Sequence, residues 1–252
     1  MERRAVDHPH LRAGGHPEVV PSPCPVVRGQ ADPAGSGVAW AVVLARGDLT
    51  GNFTRPWVDA GYRAVLVDPQ HGMSHVDGRT VKLAGTITDA IEQVRWLIHR
   101  ADVQFVATFP PCTDLAVSGA RWFGKKSADN PLFQAEACAV AEQCRTIGEL
   151  SGAPFFVENP VSVLSTLWGH PDHIFHPWHF TGHEAGDNYT KKTCLWTGGG
   201  FGMPRPKVDT TLGEPDDRIH KAPPGDDRAN FRSATPMGFA RAVFEANVKA
   251  VA

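Results

Sequence analysis

The sequence predicts an α/β protein built on a doubly wound, mostly parallel sheet. Apolar runs of strand length alternate along the chain with segments whose apolar residues recur at helical spacing, and Gly, Pro, Asn or Asp separates them. Strands that alternate with helices form a parallel sheet with helices on both faces. At 252 residues with 42% hydrophobic side chains, the chain can bury the core of one large domain, which we place at residues 37–252.

The first 36 residues do not follow this pattern. Pro, Gly, His and Arg are scattered through them without helical or strand periodicity. We therefore expect residues 1–36 to be a flexible leader, and we assign no function to them.

Composition narrows the class of protein. The five cysteines are widely scattered, with no secretory leader before them, and they indicate free thiols in a reducing compartment, the cytoplasm. No apolar stretch has the length needed to span a bilayer, so we expect no membrane partner. The formal net charge of -2 argues against a protein that coats nucleic acid by bulk electrostatics.

The first predicted elements form a βαβ unit. A continuous apolar run from Val38, VAWAVVLA, predicts a strand buried on both faces. The turn GDLTGNFT, a helix from Arg55 to Ala60 and a second strand, YRAVLVD, follow, and this strand ends in Asp68. A glycine-containing first turn with an acid about twenty residues later is the layout of a nucleotide-cofactor half-site. Gly47 and Gly51 alone are also compatible with an ordinary β-to-α turn.

Further elements continue the alternation. VKLAGTI predicts a third strand, and TDAIEQVRWLIHR predicts a helix because its apolar residues recur at helical spacing. A fourth strand runs from Gln104 into FPPC, a helix spans Pro131 to Leu150, and PFFVENP predicts a fifth strand. These segments complete the pattern from which the sheet is predicted.

Cys112 is the first candidate site residue. Pro110 and Pro111 precede it, and a double proline can neither continue a strand nor start a helix freely, so the loop is stiff. Polar residues follow, among them Ser118 and Arg121. A free cysteine is often buried apolar filler, but polar loop residues on a rigid scaffold usually serve binding or chemistry. We therefore predict an exposed functional thiol at the end of a strand, where open α/β sheets place their chemistry.

Glu158 is the second candidate, near the end of the fifth strand. A carboxyl group there can simply form a turn with Asn159 and Pro160. The apolar residues before it, Phe155 to Val157, predict burial that raises its pKa, so that it holds a proton near neutral pH. If the fourth and fifth strands are neighbours, Cys112 and Glu158 face one crevice. A thiol nucleophile and a proton-holding carboxyl suit attack on an electron-poor ring.

Three segments resemble one known family. FPPC (109–112) and VENP (157–160) are similar to the Pro-Pro-Cys loop and the Glu-Asn-Val segment of the cytosine-5 DNA methyltransferases, in the same order. SATPMGFARAVFEA (233–246) resembles that family's closing segment, and SGARWF and PWHF…KKTCLW resemble small phage-encoded methyltransferase-like proteins. The resemblance covers Val38 to Val251. It implies a Rossmann-like methyltransferase fold, S-adenosylmethionine as cofactor and, for a phage-encoded protein, the host cytoplasm as location.

The resemblance also implies roles for individual residues. The Cys112 thiolate adds to carbon 6 of cytosine, Glu158 contacts ring nitrogen 3 and the exocyclic amine, and carbon 5 takes the methyl group. A lysine of the strand KKTCLW, Lys191 or Lys192, touches the cytosine carbonyl oxygen, and we assign Lys192 to catalysis. The residues expected to bind the cofactor are Asp48, Thr50, Gly51, Asp68, Thr86 and Pro110. The residues expected to bind substrate are Ser118, Arg121, Asn159 and Lys191.

The segment from Cys194 to Arg232 distinguishes the chain from such enzymes. It is shorter than forty residues and rich in Gly and Pro, whereas domains seldom have fewer than about 50 residues. We therefore predict no separate target-recognition domain. The substrate is then cytosine-containing DNA, selected loosely or with a partner's help, or a free cytosine nucleotide. Duplex DNA requires that the base be extruded from the stack.

Other functions fit some of the same residues. A related modification of pyrimidine carbon 5, or a non-catalytic nucleotide- or DNA-binding protein, retains the same motifs. A metal-dependent hydrolase is the main rival, because five histidines recur at intervals of three or four, as zinc ligands do. They are His170, His173, His176, His179 and His183.

The prolines within this histidine run favour a different structure. Pro171 and Pro177 interrupt a helix, so PDHIFHPWHF predicts a strand and a turn. The side chains expected to pack inward are Ile174, Phe175, Trp178 and Phe180. Nothing in the sequence predicts an oligomeric state.

Overall fold

The computed structural model describes residues 41–223 and 228–248. The predicted leader, residues 1–36, and the start of the first predicted strand, Val38 to Trp40, lie outside the described residues. Within the described ranges, no helix has both the length and the apolar composition needed to cross a membrane.

Eight strands in the described part of the chain form one sheet. They are β1 (Ala41–Arg46), β2 (Arg63–Asp68), β3 (His75–Asp77), β4 (Thr80–Ala84), β5 (Asp102–Thr108), β6 (Phe155–Pro160), β7 (His173–Phe175) and β8 (Thr193–Gly198). Their order across the sheet is β3-β4-β2-β1-β5-β6-β8-β7. The five neighbours from β4 to β6 are parallel, and the outer pairings are antiparallel. The predicted α/β class is confirmed, with a sheet that is parallel only in its centre.

The path of the chain reverses between β1 and β5. From β1 the chain moves outward to β2 and β4, and it then returns to the other side of β1, where β5 and β6 follow. Open α/β sheets bind ligands at the carboxyl ends of their strands, where such a reversal leaves a crevice. Because β8 is antiparallel to β6, with Thr193 paired to Pro160, the residues that precede β8 lie at this same edge.

Eight α-helices lie in the described residues. They are α1 (Arg55–Asp59), α2 (Ile91–Arg100), α3 (Phe123–Asp129), α4 (Phe133–Ser151), α5 (Leu164–Trp168), α6 (Arg218–Lys221), α7 (Arg228–Ser233) and α8 (Met237–Asn247). The helices predicted in the first unit, in TDAIEQVRWLIHR and in the closing segment are confirmed. The helix predicted from Pro131 begins at Phe133, because the Asn130 side chain accepts a hydrogen bond from Leu132 N–H (2.9 Å) and closes a turn first.

Alternate side chains of the central strands enter two separate cores. On one face, Val106 of β5 packs with residues of α2 and α4, such as Leu97 and Ile147. On the other face, Phe105 of β5 belongs to a core that includes Trp57 of α1 and residues of α8. The apolar run of β5 is therefore buried on both faces of the sheet, as such runs usually are.

Phe155 of β6 is enclosed by two glycines. A Cβ added to Gly148 in α4 would lie 2.3 Å from the Phe155 ring, and one added to Gly198 in β8 would lie 2.4 Å from it. The ring therefore occupies space that a larger residue at either position would fill. This contact brings α4 close against the sheet beside the strand that carries Glu158.

The histidine-rich segment differs in part from its prediction. It forms β7 and then a 3₁₀-helix, Pro177–Phe180. Phe175 and Phe180 are buried as predicted, but Ile174 is 49% exposed. The expectation for Ile174 was wrong because β7 is the outermost strand, and successive side chains of a strand point to opposite faces.

The described part of the segment between β8 and α7 contains little regular structure. It holds a short 3₁₀-helix, Thr210–Leu212, and the four-residue α6. Lys207 joins it to the body of the protein, because Lys207 N–H donates to the His179 carbonyl oxygen (2.8 Å) and Gly182 N–H donates to the Lys207 carbonyl oxygen (2.7 Å). The segment thus lies along the turn that follows β7.

Candidate active site

The predicted site residues are distributed along the carboxyl edge of the sheet. Asp48 follows β1, Asp68 ends β2, Thr86 follows β4, Cys112 follows β5 and Glu158 lies near the end of β6. These five strands are consecutive neighbours, so residues far apart in sequence share one edge. The expectation that the strands of Cys112 and Glu158 are neighbours is confirmed by the pairing of β5 with β6.

The loop that carries Cys112 is held by several hydrogen bonds. The Cys112 carbonyl oxygen accepts a hydrogen bond from Ala116 N–H (2.8 Å), which closes a turn after the double proline. Lys126 of α3 donates to the Thr113 carbonyl oxygen (3.1 Å) and pairs with the Asp114 carboxylate. Cys112 is exposed, so the expectation of an accessible residue instead of buried filler is confirmed.

The side chain of Asn159 supports the loop that carries Cys112. Its side chain is only 1% exposed, Nδ2 donates to the carbonyl oxygen of the buried Pro110 (3.1 Å), and Oδ1 is buried without a partner. Side chains alternate along β6, so Asn159 and Glu158 point to opposite faces. The roles of Asn159 towards substrate and of Pro110 towards cofactor stay predictions; in the structure these two buried residues contact each other.

Glu158 faces a cleft between the sheet and the C-terminal segment. The residues that line this first cleft are Phe109, Glu158, Phe175, Lys191, Thr193, Ser233, Thr235, Pro236 and Phe239. Glu158 is half-buried, and among the described residues no group donates a hydrogen bond to its carboxylate. Burial raises the pKa of Glu158, and the charge of Lys191 partly offsets that effect. The predicted rise in the pKa of Glu158 is confirmed. A carboxyl group that keeps its proton can donate a hydrogen bond to a ligand.

Cys112 lies within electrostatic reach of the first cleft. Burial of the thiol group raises its pKa although the residue is exposed, and the charge of Glu158 raises it further, whereas Lys191 and Arg232 lower it. An anionic carboxylate opposes thiolate formation and nearby cations favour it. Cys112 is not part of either cleft lining, but the charge of its thiol depends on groups that form or border the first cleft.

The structure separates the two lysines that precede β8. Lys191 lines the first cleft, and its charge acts on both Glu158 and Cys112. Lys192 is exposed, and its charge acts instead on His176 and Cys194, whose pKa values are shifted chiefly by burial. Lys192, which we assigned to catalysis, lies outside both cleft linings, whereas Lys191 lines the first cleft.

A second cleft adjoins the first. The residues that line it are Gly47, Asp48, Leu49, Thr50, Asn230, Ser233, Ala234 and Thr235. Ser233 and Thr235 belong to both linings. Gly47 has a φ of 78°, and a Cβ there would lie 2.5 Å from the Phe109 carbonyl oxygen. Glycine therefore lets the loop after β1 touch the loop that leads to Cys112.

Asp48 shapes the wall of the second cleft. It is 3% exposed, and its carboxylate accepts hydrogen bonds from the N–H groups of Phe53 (3.1 Å) and Thr54 (3.4 Å) and from the Thr50 hydroxyl (3.2 Å). Burial raises the pKa of Asp48 to about 6, against the lowering effect of these hydrogen bonds. Asp48 therefore folds the turn that leads into α1, while Thr50 remains exposed at the cleft.

The other residues predicted to bind a cofactor lie outside both linings. Gly51 occupies a turn with a φ of 71°. Asp68 is buried, and its carboxylate accepts a hydrogen bond from Gln70 N–H (2.8 Å). The exposed Thr86 donates its hydroxyl hydrogen to Asp89 (2.8 Å). These three residues lie at the correct edge of the sheet, and their contacts within the structure are local ones.

Ser118 and Arg121 lie on an exposed 3₁₀-helix, Val117–Trp122, that follows the Cys112 loop. The Arg121 guanidinium is 5.2 Å from the centroid of the Trp122 ring, and Trp122 is 52% exposed. Neither Ser118 nor Arg121 lines a cleft. Both contribute to the open surface beside Cys112.

Helix α7 supplies site residues that sequence reasoning missed. Asn230 lines the second cleft, and the charge of Arg232 acts on the Cys112 thiol. The available signal was the resemblance of residues 233–246 to a closing segment, which begins one position after Arg232. No local pattern marks either side chain as part of a site.

The histidine run does not form a metal site in the described part of the chain. No group of three or more His, Cys, Asp or Glu side chains there is placed to hold an ion. The rings of His176 and His179 lie 5.8 Å apart, and burial lowers both pKa values. These two histidines therefore pack as largely neutral rings.

Comparison with known proteins does not identify the site. No protein-family model and no curated protein matches this sequence. What can be inferred about function depends on the exposed thiol, the half-buried carboxyl and the two adjoining clefts.

Proposed function

We propose that the protein transfers a methyl group from S-adenosylmethionine to carbon 5 of cytosine, in DNA or in a cytosine nucleotide, on a doubly wound, methyltransferase-type sheet. The observation that carries the proposal is the placement of an exposed thiol and a half-buried carboxyl at the ends of the paired strands β5 and β6. Two clefts with a shared wall lie beside them. Both ligands occur in the cytoplasm, where we propose that the protein acts.

Cys112 supplies the nucleophile in this reaction. Its thiolate adds to carbon 6 of the ring, and carbon 5 becomes electron-rich. Carbon 5 attacks the methyl group of the sulfonium, and the donor leaves as the neutral thioether. A base then removes the proton from carbon 5 and the bond between carbon 6 and the cysteine sulfur breaks, which returns the thiolate. Burial raises the pKa of Cys112, and Lys191 and Arg232 partly offset this effect by favouring the charged form that the step requires.

Glu158 activates the ring by holding a proton. Because burial raises its pKa, the neutral carboxyl can donate a hydrogen bond to ring nitrogen 3, which draws electrons from carbon 6. Protonation also removes the negative charge that raises the pKa of Cys112. Lys191 lines the same cleft, and in this reaction it donates a hydrogen bond to the carbonyl oxygen of the base.

We assign the cofactor to the second cleft. Its polar groups include the side chains of Thr50, Asn230 and Ser233. S-adenosylmethionine, when bound, supplies an electrophilic methyl group. Because Ser233 and Thr235 line both clefts, ligands in the two clefts lie side by side, as group transfer requires.

A trapping experiment tests the proposal. With S-adenosylmethionine and a substrate that contains 5-fluorocytosine, we expect a covalent adduct on Cys112, because fluorine replaces the proton whose loss would release the enzyme. Mass spectrometry of the intact protein and of the Cys112 peptide measures it. Cys112→Ala abolishes the adduct, whereas Cys138→Ala, which removes a half-buried thiol of α4, retains it. A protein that binds the cofactor in calorimetry but gives no adduct with nucleotide or DNA would contradict the proposal.

A further inference from the structure

Arg232 is a cation without a partner beside the candidate active site. It is half-buried on α7, and its Nε is shielded from solvent without a hydrogen-bond acceptor. No ion pair joins it to a described residue, and Lys191 has none either. Three other cations of the C-terminal half are paired with acids: Arg218 with Asp216, Lys221 with Asp217, and Arg241 with Glu184.

Arg232 adjoins both clefts. The next residue, Ser233, lines both clefts. Glu158 is the only acid in the lining of the first cleft among the described residues, and it loses its charge when it takes up a proton. Arg232 and Lys191 then leave an excess of positive charge next to Cys112. Such an arrangement favours an anionic ligand.

We propose that Arg232 binds a phosphate group of the substrate, so that the enzyme acts on a cytosine nucleotide and not on the nucleoside or the free base. Guanidinium groups bind phosphate through two parallel hydrogen bonds, which fixes orientation as well as position. The guanidinium group of Arg232, whose Nε has no acceptor among the described residues, provides the donors. The identity of the ligand as a cytosine nucleotide rests on the proposed function, whereas a phosphate site at Arg232 does not.

The test measures protection of Cys112 and needs no methyl transfer. Alkylation of Cys112 by iodoacetamide is followed by mass spectrometry with deoxycytidine, deoxycytidine monophosphate or a short single-stranded oligonucleotide present. We expect both phosphate-bearing compounds to protect at concentrations at least roughly tenfold below that of deoxycytidine. We expect Arg232→Gln to remove this difference in protection. Arg232→Lys restores part of the difference, because lysine returns the positive charge but not the two parallel N–H donors of a guanidinium group. The relative protection by monophosphate and oligonucleotide identifies the source of the phosphate.

Arg228→Gln is the matched control. Arg228 lies on the same helix, but its Nε already donates to the Ala222 carbonyl oxygen (2.8 Å), so we expect this variant to retain the preference for phosphate. Equal protection by nucleoside and nucleotide in the wild-type protein, or an equal loss of both in Arg232→Gln, would overturn the phosphate site. If the Arg232-dependent preference is found but no methylated product forms, the phosphate site stands and the proposed function fails. If product forms equally well from nucleoside and nucleotide, the proposed function stands and the phosphate site fails.

Discussion

At the scale of single residues, orientation decides which of several equivalent side chains belongs to the site. Lys191 and Lys192 are adjacent and chemically identical, yet only Lys191 shares a cleft with Glu158. Successive residues of an extended chain point to opposite sides, and the pairing of Pro160 with Thr193 sets which side faces the carboxyl. The sequence KKTCLW contains no information about that pairing.

Replacement of Lys191 tests this orientation. We expect Lys191→Met to raise the pKa of Cys112, because a cation that favours the thiolate is lost. The pH dependence of Cys112 alkylation, followed by mass spectrometry, then moves to higher pH, and methyl transfer falls by roughly tenfold or more. Lys192→Met removes the same charge from the adjacent position and leaves the profile unchanged. Equal shifts in the two variants would show that neither lysine is specific to the site.

At the scale of elements, a distant carboxylate helps to place the helix that closes the site. Helix α8 has Pro236 at its N-cap, and the side chain of that residue makes no capping hydrogen bond. Asp187 takes this role, because its carboxylate accepts a hydrogen bond from Gly238 N–H (2.6 Å). Pro236 and Phe239 line the first cleft, so Asp187 fixes one wall of it. The helix was predictable from its sequence, but its cap was not, since Asp187 lies far away along the chain.

The buried Asp187 predicts a pH-dependent stability. Burial raises its pKa from 3.8 to about 6, with Gly238 and two arginines lowering it and Glu184 raising it. Between these values the folded protein binds more protons than the unfolded chain, so the free energy of unfolding falls as pH rises. Asp187→Asn keeps an acceptor oxygen without the titration. We expect the wild-type protein to lose about 2 kcal/mol relative to this variant between about pH 4.5 and 7.5.

Urea denaturation of both proteins across that range measures the difference. The comparison cancels the other titrating groups, including Asp48, which has a similarly raised pKa. A difference that is constant with pH, or that favours the wild-type protein as pH rises, would contradict the assignment of the titration to Asp187.

At the scale of the whole molecule, packing on both faces holds the sheet edge in place. Phe155 of β6 lies against Gly148 of α4 and Gly198 of β8, while its neighbour Phe156 enters the opposite core. The strand that presents Glu158 is therefore fixed from two sides. Gly148 appears in the sequence as an unfavourable residue within a helix, and only its approach to an aromatic ring accounts for it.

A pair of glycine substitutions tests this packing. Gly148→Ala places a methyl group 2.3 Å from the Phe155 ring, and we expect a loss of about 1–3 kcal/mol in the free energy of unfolding. Gly124→Ala, in α3, meets nothing within 4 Å, and we expect a gain of about 0.5–1 kcal/mol because alanine favours the helix. Urea denaturation distinguishes the two. A Gly148→Ala protein as stable as the wild type would show that α4 does not pack closely on β6.

Local patterns accounted for most of the fold. The predictions located the long strands and helices correctly. A strand that is buried on both faces has a continuous apolar run, and a helix that is buried along one stripe has apolar residues at helical spacing. β3 was missed because three residues are too few to show a period, and the short α7 was missed for a similar reason. The inward orientation of Ile174 was wrong because the position of β7 at the margin of the sheet depends on pairing.

The sequence by itself determined the succession of strands and helices, the stiff loop that exposes Cys112, and the placement of Cys112 and Glu158 at one edge of the sheet. These features follow from local periodicity and from the rule that parallel strands end at one edge. Only the tertiary structure decided that Lys191 faces Glu158, that Asn159 braces the loop, and that Arg232 borders the site. Such details depend on strand pairing and on where the chain returns, and neither leaves a local signature in the sequence.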